Sequence, residues 1–378
     1  MAQDVLLYAA PNTSADALWF GRFRAGDPLL AFTAKGKKHA AVVLLEVTRA
    51  RREGVFDVVH DLQGLTAAER KRDPKAGVAE VIVRLAREHG VKQFTVPPDF
   101  PVAVFQKVVA LGLPLKVGEA PFFPKRVVKT PEELDAIRAS NRAAAAGFKA
   151  VEKILAAAEI RAGNFLWFEG KKLTAERLRA AIERATLDAG ALNVAGLIAA
   201  PGDQAVDCHA EGAGPVRANE LIVVDIFPRS ASTGYYGDMT RTYLKGKASP
   251  AQRKLVKTVR DAQLLALSLI KPGIAGVKVH EAVQKFFEER GYKTARNAQN
   301  GFEEGFFHGL GHGLGLDVHE DPGLNTRGVK PLVAGNVVTV EPGLYYIGTG
   351  GCRIEDNVVV TDGGCELLSR HPYRWEIA

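Results

Sequence analysis

Apolar and polar positions alternate differently in two stretches of the chain. Within residues 1–125, "DVLLYAA" (4–10), "ALWFGRF" (17–23) and "HAAVVLLEV" (39–47) are short β-branched or aromatic runs bounded by turn residues. "AGVAEVIVRLAREHG" (76–90) has helical spacing and stops at glycine. Strands interleaved with helix predict a smaller α/β domain.

"PFFPKRVVKT" (121–130), with two prolines and a basic cluster, reads as a linker. Thr130, Pro131 and Glu133 then form a capping box with proline at the first helical position, so a long helix is predicted from there. Its apolar residues Leu134, Ile137, Ala144, Phe148, Val151 and Leu155 share one face. Further helices are predicted at 174–189, from Ser249–Pro250 to the "KPG" at 271–273, and at 279–292. Between and after them lie the strand-like pieces "ELIVVDIF", "YYGDMTRTYL", "NVVTVEPGLYY" and "GCRIEDNVVVT". Residues 126–378 therefore read as α+β, helices segregated from a strongly curved antiparallel sheet.

Composition adds exclusions. A chain of 378 residues with 47% hydrophobic and 25% charged residues matches a soluble globular protein of two domains. No apolar run approaches the ~18 residues of a membrane span, and the N-terminus lacks the pattern of an export signal. Cys208, Cys352 and Cys365 have neither the number of a disulfide framework nor CxxC spacing, so a reducing cytoplasm is expected. The net charge of +7 raises the question of nucleic acid. The basic clusters "RARRE" (49–53) and "ERKRDPK" (69–75) are short, mixed with acids and free of aromatics, so solvated surface is the expectation and no nucleic-acid partner is assigned.

The candidate chemistry interrupts the strands. Asp225, Asp238, Glu341 and Glu355 each sit in a strand-like piece where apolar alternation calls for something else. Desolvating a carboxylate costs several kcal/mol unless it is paired or metal-bound. Four carboxylates converging in one domain would repel each other strongly, and two bridged divalent cations would compensate them.

"FFHGLGHGLGLDVHEDPG" (306–323) places His308, His312 and His319 close together. The first two have the spacing of HExxH without its glutamate, and the glycines between them disfavour a helix. Alternation in "LGLDVH" predicts a strand ended by His319. His39, His60, His89, His280 and His371 are read as structural histidines.

"DMTRT", "HGLGHGLGLDVHE", "TVEPGLYY" and "RIED", in this order, resemble the signature blocks of the pita-bread metallopeptidases, in particular the Xaa-Pro peptidases prolidase and aminopeptidase P. The blocks fall between about residues 205 and 357. The resemblance implies a C-terminal pita-bread catalytic domain (126–378) behind a creatinase-type N-terminal domain (1–125). It implies that Asp225 chelates one metal ion, that Asp238 and Glu355 bridge two, and that His312 and Glu341 complete the second. Glu341 matches the proton-shuttling glutamate, His319 a group that bonds substrate near the tetrahedral centre, and His209 one near the leaving nitrogen. His308 and Arg353 match the side that holds proline, and Arg327 matches an arginine that grips the free carboxylate of a dipeptide.

Two divalent ions are implied, Mn²⁺ first because the donors are hard, with Co²⁺ or Zn²⁺ as alternatives. The expected substrates are short Xaa-Pro peptides and the expected state is a homodimer. Dipeptides are slightly favoured over the longer substrates of aminopeptidase P. A non-catalytic peptide-binding module on the same fold is a further alternative, which five intact ligand positions disfavour. Asp225 and Asp238 are thirteen residues apart where the family usually has eleven. A lengthening confined to the turn "PRSASTG" would preserve the facing of both side chains.

Overall fold

The computed structural model describes residues 4–295 and 304–378. The chain divides into two compact units, the first ending at Arg126 and the second starting at Val127.

The first unit is built on a four-stranded sheet of Leu6–Ala9, Leu29–Ala34, Lys37–Val42 and Val58–Asp61. The last pair is parallel, the others antiparallel. Leu6, Leu30 and Phe32 pack on one side with Ile82 and Leu85 of helix Val78–His89. Leu7, Leu29 and Ala31 pack on the other with Phe20, Phe23 and Ala50. A sheet buried on both faces explains why its strands read as continuous apolar runs.

Two expectations fail here. "ALWFGRF" supplies most of a helix, Ala15–Gly21, because Ser14 caps it by accepting from the Ala17 N–H at 3.3 Å. A short apolar run fits strand or helix by periodicity, and the cap decides. "HAAVVLLEV" leaves the sheet at Val42 and continues as a 3₁₀ turn, Leu44–Glu46, and helix Val47–Glu53.

In the second unit the long helix Pro131–Ala157 begins where the capping box sets it, with Thr130 N–H donating to Glu133 Oε2 at 2.8 Å. Helices Ala175–Asp188, Pro250–Leu269 and Gly276–Glu288 complete its helical set among the described residues. They cover one face of the strands. Ile222, Val224 and Ile226 pack on Phe148 and Ile182. Val338, Val340, Val358 and Val360 pack on Val259, Ala266, Val279 and Phe287. Each alternate residue therefore points to the other face, and that is where the acids lie. No described helix is long and apolar enough to cross a membrane.

"LGLDVH" is not a strand. The chain pairs only over Gly311–Gly313 and then bends, closed by the Gly315 N–H to the Asp317 carbonyl at 3.1 Å, before strand Glu320–Leu324. His319 stands one residue outside that strand. A local turn overrides the alternation.

His280 is 3% exposed, with its ring centroid 5.6 Å from that of Phe306 and its Nδ1 without a hydrogen-bond partner among the described residues. Burial lowers its pKa below 6.5, against a smaller opposing pull from Glu281. A lowered folded pKa contributes stability that is complete above the unfolded value and is lost as pH falls through the folded one. Between pH 7.5 and pH 5, urea unfolding of His280→Gln should therefore lose less stability than wild type, by on the order of 1 kcal/mol. Equal losses would remove His280 from the account.

Candidate metal centre

Strand register carries four acids to one face. Strand Ile222–Ile226 pairs antiparallel with Met239–Lys245, setting Asp225 opposite Thr240. An antiparallel bridge sets Thr240 opposite Glu355. Strand Val337–Val340 pairs with Asp356–Thr361, Val340 opposite Asp356, and one further step of that register brings Glu341 opposite Glu355. Asp225, Thr240, Glu355 and Glu341 thus form one lateral row across the sheet. Two residues along each strand, and so on the same face, lies a second row. Asp238 is opposite Asn357, Asn357 is paired with Thr339, and Thr339 faces His312, whose N–H reaches the Thr339 hydroxyl at 3.0 Å. Beyond it Tyr236, Val359, Val337 and Leu314 close the face with an apolar cluster.

The register from Ile222↔Tyr243 to Ile226↔Met239 is unbroken. In the turn between the two acids, Arg229 and Ser230 pair with Leu192 and Ala191.

The side chains in these rows are set for a cation. His312 Nδ1 lies 3.0 Å from the Gly313 carbonyl, which can only accept, so Nδ1 carries the proton. Nε2 then turns a lone pair toward Glu341 Oε1 at 3.3 Å and Asp238 Oδ2 at 3.6 Å. Lone pairs facing carboxylate oxygens repel unless a proton or a cation lies between them. Asp238, His312 and Glu355 each offer one donor within 4.8 Å of the others. Asp225 Oδ1 and Glu355 Oε1 are buried and have no hydrogen-bond partner among the described residues. Such orphaned oxygens are costly, and divalent cations would satisfy them, so the residues fit the implied metal ions.

Burial, then the neighbouring acids, holds the carboxyls of Asp238 and Glu355 well above the usual range. Burial pushes Glu341 up to about 8, while Arg353 pulls the other way.

A buried hydrogen-bond chain backs the first row. Arg353 Nη2 donates to Asp225 Oδ2 at 2.7 Å, its Nε to the Thr240 hydroxyl at 3.3 Å and its Nη1 to the Tyr345 hydroxyl at 2.9 Å. Thr240 donates to Glu355 Oε2 at 2.7 Å. The Tyr345 hydroxyl donates to His308 Nε2 at 3.0 Å, and His308 Nδ1 donates to the Gly309 carbonyl at 2.7 Å. Burial lowers the His308 pKa to about 3, consistent with a neutral ring. Both ring nitrogens of His308 and the whole Arg353 guanidinium are thus engaged within the protein.

Three further residues lie outside. His319 is exposed, its ring set edgewise at 4.3 Å from that of His312, and burial followed by repulsion from His312 lowers its pKa to about 4. His209 is exposed in a turn fixed by its N–H to Asp207 Oδ1 at 3.1 Å. Arg327 is exposed, and among the described residues its side chain makes no hydrogen bond or ion pair.

Reading the sequence for acids misses the neutral residues of the rows. Asn141, on the long helix, accepts from the Asp238 N–H at 3.0 Å. Asn357 donates to the Asp238 carbonyl at 2.8 Å, and the two amides bond each other at 2.7 and 3.0 Å. Gly237 is the signal that was available. A Cβ there would sit 2.6 Å from Asn141 N, so the glycine lets the hairpin meet the helix. Gly311 serves likewise, since a Cβ there would collide with the Thr339 carbonyl.

A helix-backed sheet thus brings four acids and one histidine together on its open face. Residues 135–362 match the model of metallopeptidase family M24, and the chain belongs to that family. An uncharacterised peptidase of Bacillus subtilis is 32% identical over 157 residues, 42% of this chain and 41% of that protein. A Xaa-Pro dipeptidase of Pyrococcus furiosus is 30% identical over 155 residues, 41% of each. These matches span less than half of either relative. An X-Pro aminopeptidase structure from Thermotoga maritima has a TM-score of 0.81 at 24% identity, covering 100% of this chain and 97% of that one. That likeness is one of fold, and the fold is the pita-bread fold.

The geometry separates two neighbouring histidines. His312→Ala should weaken binding of a divalent ion to the apoprotein by at least about tenfold in calorimetric titration. His319→Ala should leave stoichiometry and affinity unchanged. Equal losses in both variants would contradict the assignment.

Proposed function

We propose that this chain is a metallo-exopeptidase that hydrolyses the Xaa-Pro bond at the N-terminus of short peptides, with residues 126–378 as its catalytic domain. The observation that carries the proposal is the pair of lateral rows in which Asp225, Asp238, Glu341, Glu355 and His312 share one face with two orphaned carboxylate oxygens. Membership of the metallopeptidase family and the likeness to a Xaa-Pro dipeptidase support it. Those five residues would hold the two cations. Four carboxylates with one imidazole are a hard donor set, which makes Mn²⁺ the proposed metal.

When bound there, divalent cations supply Lewis acidity and lower the pKa of water toward neutrality. The protein's own groups do the rest. Glu341, with Thr339 donating to Oε1 at 3.2 Å, holds the proton taken from water and returns it to the leaving nitrogen. Arg353 and Thr240 hold Asp225 and Glu355 from behind, so these acids keep their places as charge develops. His319 and His209, both exposed, donate to the substrate carbonyl and near the scissile nitrogen. His308 shapes the proline side through Tyr345. Proline suits a dedicated site because its nitrogen has no N–H and its ring fixes φ.

Dipeptides are slightly favoured over longer peptides because the Arg327 side chain is exposed and unspent, and a planar guanidinium fork suits a free carboxylate. Cleavage of longer Xaa-Pro peptides, as in aminopeptidase P, is the second reading, supported by the X-Pro aminopeptidase fold neighbour. A cytoplasmic location, in keeping with three free cysteines, and a homodimeric state belong to the same proposal.

Protein stripped of metal and reloaded with Mn²⁺ should hydrolyse Ala-Pro with higher kcat/KM than Ala-Pro-Ala. Arg327→Ala should raise KM for Ala-Pro by roughly 10- to 100-fold, the worth of one charge-assisted pair, and leave Ala-Pro-Ala alone. Preference for Ala-Pro-Ala with no effect of the variant would select the second reading. No turnover of either peptide with any divalent ion would overturn the peptidase proposal.

A further inference from the structure

Outside the site, the first unit gathers three histidines from three elements. His39 lies on strand Lys37–Val42, His60 on the parallel neighbour Val58–Asp61, and His89 is the last residue of helix Val78–His89. Ala41 is the register partner of His60 and Val58 that of His39, so the two strand histidines are diagonal neighbours. All three rings pack around Phe32. The His39 ring stacks on it at 4.6 Å and 17°, with His60 at 6.3 Å and His89 at 5.9 Å. His39 Nδ1 and His60 Nε2 are 3.2 Å apart, and one donor nitrogen from each of the three lies within 4.8 Å of the others. The family match begins at residue 135, so this cluster lies outside it.

We propose that His39, His60 and His89 form a second metal site, for a single borderline divalent cation such as Zn²⁺. Tetrahedral coordination at about 2.0–2.1 Å from imidazole nitrogen places two ligands roughly 3.3–3.4 Å apart, close to the His39–His60 separation already present. The His89 ring makes no hydrogen bond among the described residues and is half-buried at a helix end, so a small rotation of the side chain closes the third edge. His39 is buried and fixed by Phe32, while His60 and His89 are half-buried, which leaves one side open for water as a fourth ligand.

An all-imidazole donor set disfavours Mn²⁺ and favours Zn²⁺, Ni²⁺ or Cu²⁺, the reverse of the carboxylate rows. The bound ion would tie both strands to the end of the helix, a structural clip in a unit that provides none of the candidate catalytic residues.

The test counts zinc in the full-length protein. After saturation with Zn²⁺ and gel filtration, wild type should hold one more equivalent than His60→Gln and one more than His89→Gln, both half-buried positions. Both variants should bind that equivalent about 100-fold more weakly and keep wild-type behaviour with Mn²⁺ at the carboxylate site. In parallel, crystals of wild-type protein soaked in Zn²⁺ should show an anomalous peak touching all three imidazoles. Equal zinc counts in wild type and variants, or a zinc-soaked crystal with no peak there, would mean that the rings are an aromatic stack only and would overturn the proposal.

Discussion

The second unit is organised around the cost of placing four carboxylates on one buried face of a sheet. Asp225, Asp238 and Glu355 are each less than a tenth exposed, and Glu341 is partly covered. Isolated, each would cost several kcal/mol, and together they repel. Among the described residues the fold answers with one positive side chain bonded to the first row. Arg353 is buried and bound to Asp225, while the hydroxyls of Thr240 and Thr339 serve Glu355 and Glu341. One arginine cannot balance four acids. The remaining deficit is what the proposed cations would offset.

Register is the means by which the deficit is concentrated. Because side chains alternate, a one-residue slip of these strands would exchange an acid for an apolar neighbour. The chain neighbours of the acids, Val224, Ile226, Met239, Val340 and Ile354, are buried in the apolar clusters, so such a slip would expose apolar surface and bury charge together. The Asn141–Asn357 pair adds a second lock by tying the long helix to the Asp238 backbone. Gly237 makes room for that contact. The helices that build the core are therefore the same elements that hold the ligand face in place.

Much of this was legible in the chain itself. An acid inside "LIVVDIF" or "VVTVEPG" breaks an apolar alternation, and four such breaks point to one face even before the strands are paired. The capping box at Thr130 placed the long helix because its signal is local and chemical. Where signals were local but ambiguous, the reading failed. "ALWFGRF" became a helix through Ser14, and "LGLDVH" became a bend because a turn at Gly315–Asp317 outweighs alternation. The bonds of Arg353 to Asp225 and of His308 to Tyr345 likewise follow no spacing in the chain. Asn141, Thr240, Thr339 and Asn357 carry no charge and lie far apart in sequence, so nothing short of the register joins them. The histidine-rich stretch shows the same limit. Three histidines in eighteen residues look like one site, whereas only His312 turns a lone pair toward the acids.

The central claim is that the two lateral rows hold a pair of cations between them. Anomalous diffraction at the manganese edge from crystals of Mn²⁺-loaded protein tests it most directly. The account predicts two peaks, with Asp238 and Glu355 each touching both ions and His312 the only histidine in contact. A single peak, or ions held by His308 and His319 away from Asp225 and Glu355, would contradict it.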